Sequence, residues 1–147
     1  MTIRATKHIK LDHTPGQATD SITLEAQDRH IRRKLIKTQS GQDVLVDLPL
    51  TVYFEDGDHL VLDNGTYLEI CAAEEDLYEI TGSSPAHIAQ LAWHIGNRHL
   101  PAQIEWNRIL IKRDHIIRTM LMGLHATVTE VRDQFDPLHG AYHSHGH

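Results

Sequence analysis

The chain has 147 residues, enough for one ordinary domain or two small ones; 40% are hydrophobic but only 5% aromatic, so the core must be mostly aliphatic. A net charge of −6 argues against a broad nucleic-acid surface. A single cysteine, Cys71, excludes an intramolecular disulfide and fits a reducing compartment. The N-terminus, MTIRATKHIKLDHTPG, lacks the apolar stretch of a signal peptide. No apolar run approaches the roughly 20 residues that span a bilayer. A soluble, cytoplasmic protein without a membrane or nucleic-acid partner is expected. The anomaly is histidine, 13 of 147 residues, the side chain that serves both as proton switch and as metal ligand.

Residues 21–71 read as all-β. SITLEA is one candidate strand, and 28–37 can hold another. DVLVDL and HLVLDNGTYLEICA alternate apolar and polar positions. SGQD (40–43), EDGD (55–58) and DNG (63–65) punctuate them as turns, with Asn64-Gly65 the sharpest hairpin signal. The expectation is a set of small packed sheets. AAEED (72–76) shifts in composition and reads as the change of domain. LYEIT (77–81) is the next strand. Ser84 then reads as a helix N-cap with Pro85 at the first helical position. Ile88, Leu91, Ala92 and Ile95 recur on one buried face, and Gly96-Asn97 suits the helix end. QIEW and RILIK flank Asn107-Arg108 as a strand pair. Asp114 can cap a second helix whose inner face carries Ile116, Ile117, Met120, Leu121 and Leu124. ATVTEV (126–131) closes the order β-α-β-β-α-β, a ferredoxin-like arrangement. The fold class is therefore α+β: a small all-β domain (1–73), a ferredoxin-like domain (74–136) and a flexible, histidine-containing tail (137–147).

The tail reads LHGAYHSHGH, with His139, His143, His145 and His147. Its last three imidazoles alternate with small residues, so an extended chain can curl two of them onto one ion. Solvated padding and a purification remnant are the competing readings, although a tag normally brings consecutive histidines. On the second helix, a wheel of about 100° per residue sets His115, Arg118, Thr119 and Met122 opposite the inner face. Met122 is apolar where water is expected, a sign of a subunit interface. A two-fold there would bring two copies of His115 together; the alternative is an exposed histidine at a helix start. His94 can pack at the edge of the first helix, and His99 can cap its C-terminus. The basic run RHIRRK (29–34) is either a partner contact or a solvated strand face. HExxH, CxxC, GxSxG and GxxxxGK[ST] are absent from the sequence.

At 94–101, HIGNRHLP followed by Ala102-Gln103-Ile104, the sequence resembles the UreE family of urease accessory proteins, which carry a [HL]xGNRHxP-type segment after the first helix of their C-terminal domain. A second likeness is the family's DHxxxxML-like helix, here Asp114-His115-Ile116-Ile117-Arg118-Thr119-Met120-Leu121. The histidine-bearing C-terminus is a third, and DGD (56–58) before a strand fits the β domain. The resemblance spans nearly the whole chain. It implies a nickel metallochaperone, not an enzyme: a homodimer joined through its C-terminal domains, with His115, Thr119 and Met122 at the interface. It implies that His115 binds Ni²⁺ there, completed by His143, His145 and His147. His139 is a weaker candidate ligand, and His99 is either structural or a peripheral ligand. The implied partners are the urease apoprotein and its GTPase accessory protein, with the β domain contacting partners. A short tail implies one or two ions per dimer rather than a reservoir. Zn²⁺ or Cu²⁺ can also bind such nitrogen ligands, and by affinity order Cu²⁺ exceeds Ni²⁺, so nickel rests on the resemblance. Two other classes remain open: a metal-dependent hydrolase, and a metal-independent peptide-binding or folding module with an incidental tail.

Overall fold

The computed structural model describes residues 1–13 and 16–139. They form two compact units that divide between Ala73 and Glu74. Each unit has its own aliphatic core.

The first unit is built on one six-stranded sheet of β1 (Thr2–Ile9), β2 (Asp20–Leu24), β3 (His30–Lys37), β4 (Asp43–Tyr53), β5 (His59–Leu62) and β6 (Tyr67–Ala72). Its order is β2-β6-β5-β1-β4-β3. This corrects the expectation of several small sheets: a single hydrogen-bonded sheet curls on itself. Ile22 of one edge strand and Ile36 of the other enter the same core. Past β3 the chain reaches back to β2, where the Gln39 N–H donates to the Ser21 carbonyl (2.8 Å). β1 is absent from the sequence reading because TIRATKHI carries few apolar residues. Its place is set by parallel pairing with β4, from Thr2 opposite Asp43 to Ala5 opposite Val46.

The turns carry out what their residues suggest. In EDGD, Gly57 takes φ +93°, a conformation that L side chains rarely adopt. Asp58 is buried and accepts from the Leu11 N–H (3.0 Å), the Glu55 N–H (2.9 Å) and Lys10 Nζ (3.0 Å). Gly65 of DNG has φ +84°. The basic run splits by burial. Arg29 is fully buried, donating to the Phe54 carbonyl (3.0 Å), the Leu24 carbonyl (2.9 Å) and the Tyr53 hydroxyl (2.9 Å). Arg32, Arg33 and Lys34 are exposed on β3.

The second unit holds β7 (Glu74–Thr81), α1 (Pro85–Asn97), β8 (Ala102–Ile104), β9 (Ile109–Lys112), α2 (His115–Gly123) and β10 (Thr127–Gln134). The sheet order β10-β7-β9-β8, antiparallel throughout, is the ferredoxin-like arrangement. AAEED is only briefly a linker. Glu74, Glu75 and Asp76 are strand residues, paired with Gln134, Asp133 and Arg132. Their acidity misleads because Glu75 is buried against Lys112 Nζ (3.2 Å), and Asp76 accepts from Arg132 (3.0 Å).

α1 begins as its sequence dictates: the Ser84 hydroxyl accepts from the His87 N–H (3.1 Å), with Pro85 next. Ile88, Leu91 and Ile95 pack against Tyr78, Ile80, Ile109, Ile111 and Leu121. Burying each Leu or Ile side chain contributes about 2 kcal/mol. β8 and β9 join through a turn in which Arg108 bonds Glu105 (3.0 Å) and reaches Glu79 (2.9 Å). Hydrogen bonding to Glu79, opposed by burial, holds the Arg108 guanidinium pKa above its ordinary value.

Candidate metal centre

α2 starts directly after Asp114, an N-cap residue whose own backbone is still extended. The Asp114 carboxylate accepts from the Ile116 N–H (2.9 Å) and the Ile117 N–H (3.1 Å), satisfying two of the helix's open donors. His115 is therefore the first helical residue. Ile117 and Leu121 face the core, with Met120 and Leu124 half-buried beside them. Ile116, expected on the inner face, is 65% exposed. One residue is about 100° on the wheel, and Ile117 already occupies the centre of the buried stripe.

The outer face of α2 consequently carries His115, Ile116, Thr119 and Met122, all exposed. Met122 is 53% exposed. Thr119 turns its hydroxyl onto the His115 carbonyl (3.0 Å), leaving the His115 imidazole outside that bond. The His115 imidazole thus stands on an exposed helix face that also carries the apolar side chains of Ile116 and Met122.

The other histidines divide by role. His99 sits just past α1 with φ +56°, and its N–H donates to the Gly96 carbonyl (3.0 Å). It fills the left-handed helix-end position that glycine usually takes. His125 does the same after α2, with φ +67°. His94 is half-buried, with its ring edge-on to Trp93 at 5.1 Å. His87, which drew no functional expectation from the sequence, ties the helices together. Its Nδ1 accepts from the Ser83 N–H (2.9 Å), so Nε2 carries the proton and donates to the Leu124 carbonyl (2.9 Å). A cavity of about 560 Å³ beside it is lined by Gln90, His94 and His125 among others. Only the tertiary packing of α1 on α2 makes that cluster visible. Among the described residues no three His, Cys, Asp or Glu side chains converge on one point. His139 is the last described residue and is exposed; His143, His145 and His147 lie outside the described residues. No described helix is long and apolar enough to cross a membrane.

Fold and face together define a two-unit α+β protein whose second helix exposes a histidine together with Ile116 and Met122. Residues 2–73 match the N-terminal domain of UreE urease accessory protein, and residues 75–147 match its C-terminal domain. The chain belongs to the UreE family of urease accessory proteins. It is 56% identical over 140 residues to urease accessory protein UreE 1 of Brucella suis, covering 95% of this chain and 84% of that protein. It is 54% identical over 126 residues to urease accessory protein UreE of Rhizobium meliloti, covering 86% and 82%. To the UreE of Agrobacterium fabrum it is 52% identical over 134 residues, covering 90% and 83%.

Proposed function

We propose that this chain is a cytoplasmic nickel-binding chaperone that delivers Ni²⁺ for assembly of the urease metallocentre. The observation that carries the reading is the outer face of α2. His115 stands exposed at the helix start, and Ile116 and Met122 supply apolar surface for a second copy. A two-fold through this face doubles His115 into a paired imidazole site, with Thr119 and Met122 in the contact. His143, His145 and His147, with His139 as a further candidate, complete the ligand set for the ion and exchange it toward the partner. Zn²⁺ and Cu²⁺ are competing ions for the same nitrogen donors. The receiving partners are apo-urease and its GTPase accessory protein, contacted in part through the β unit.

Delivery needs ligands that let go. Neutral imidazoles hold a divalent ion without the trapping strength of a thiolate, and protons compete for the same nitrogens. The Asp114 carboxylate is committed to the helix cap, which supports transfer rather than hydrolysis. The test is Ni²⁺ titration calorimetry of the full chain, with mass measured in parallel by light scattering. Wild type is expected to bind as a dimer, more weakly as pH falls, and His115→Ala to lose affinity at least tenfold. Unchanged tight binding in His115→Ala, or a monomer with and without Ni²⁺, would refute the reading.

A further inference from the structure

The first unit holds a cavity of about 390 Å³ lined by Gly16, Gln17, Ala18, His59 and Glu69. It opens on the sheet face away from the core. Leu60, Leu68 and Ile70 point into that core, and His59 and Glu69 alternate with them. His59 is only 6% exposed, yet its Nδ1 has no hydrogen-bond partner among the described residues. That is uncommon, because burial strips water from the imidazole and a native fold nearly always supplies a replacement. The neighbouring Tyr67 ring, centred 6.0 Å away and tilted 31°, packs against the imidazole.

The register says what kind of ligand fits. His59 on β5 lies directly opposite Glu69 on β6. Opposed residues of an antiparallel pair project to the same side with Cβ atoms about 5 Å apart. One imidazole nitrogen and one carboxylate oxygen can therefore meet on a single ion. The Gln17 side chain lines the same space. The Glu69 carboxylate lines the cavity, which favours a cation over an anion.

We propose that His59 and Glu69 form a second, two-ligand site for a first-row divalent ion in the β unit, with water completing the shell. An imidazole–carboxylate pair suits Ni²⁺, Zn²⁺ and Co²⁺. Two protein ligands make it an exchangeable site rather than a store. It stands independently of the His115 reading, since its residues belong to the other unit.

Amide NMR spectra of the full chain during Ni²⁺ titration test it residue by residue, because the paramagnetic ion broadens nearby signals. The signals of Gln17, Val61, Glu69 and Ile70 should broaden in wild type and in His115→Ala alike. Glu69→Gln and His59→Gln should each require at least tenfold more Ni²⁺ for the same loss. Glu69 is half-buried rather than buried, so Glu69→Gln decides the matter if His59→Gln fails to fold. Wild-type signals that stay sharp in excess Ni²⁺ would overturn the proposal, leaving His59 to water alone. So would equal broadening in wild type and Glu69→Gln, or broadening that vanishes in His115→Ala.

Discussion

His99 shows how a residue type can suggest a ligand and serve instead to end a helix. Its φ of +56° is where a Cβ is costly and glycine is free of the penalty. His99→Gly is expected to raise stability by about 1 kcal/mol in urea unfolding and to leave Ni²⁺ stoichiometry unchanged. A fall in bound nickel would instead make His99 a ligand. Asp20 offers a second test at this scale. Hydrogen bonds from Ser40 first and Thr38 second hold its carboxyl pKa below the ordinary carboxylate value. A depressed folded pKa contributes stability that is present above the unfolded pKa and is lost as pH falls through the folded one. Asp20→Asn should therefore be less stable than wild type at neutral pH. That gap should close in strong acid, as read by unfolding at pH 7 and below the carboxylate range. Asp20 is near the surface, so the gap is small.

At the scale of the element, α2 is the case where local pattern and tertiary contact divide the labour. Its start was legible from Asp114 followed by a hydrophobic period, because a cap acts within three residues of itself. Which apolar residues face inward was less legible. Ile116 and Ile117 are equally apolar, and only the strand surface beneath selects Ile117 for burial. The exposed pair Ile116 and Met122 then becomes the informative feature. If this face joins two copies, Met122→Glu should weaken the dimer at least tenfold in sedimentation or light scattering, while the circular dichroism spectrum stays unchanged. A dimer of undiminished strength would move the interface elsewhere. The β unit teaches the converse. RHIRRK looks uniformly basic, yet Arg29 spends its guanidinium on two carbonyls and a tyrosine hydroxyl. A strand's charge pattern does not say which cation folds inward.

For the whole molecule, the division of labour is the proposition to test. Each unit buries its own core, so a change confined to the end of the chain should leave both folded. Truncation after His139 is expected to reduce Ni²⁺ bound per dimer and slow its transfer to an acceptor chelator, with thermal stability unchanged. Unaltered stoichiometry and transfer would assign the whole metal function to His115 and the β unit. The candidate site was legible only as separate parts. GNRHLP, DHIIRTML and the tail histidines are local strings, and their meaning came from likeness to a family. The cross-strand pair of His59 and Glu69, ten positions apart, had no local signature.

By itself the sequence determined the order and type of elements in the second unit, through caps, turn residues and apolar periods that act over a few residues. It also determined family membership, because long shared identity survives without any knowledge of contacts. Tertiary structure alone decided that β1 runs parallel to β4, that one sheet curls rather than several stacking, and that Arg29 and Glu75 are inside. It alone left His59 buried with a nitrogen unpaired among the described residues. These are pairings between segments far apart in the chain. Their free energy comes from register and packing that no short window of residues contains.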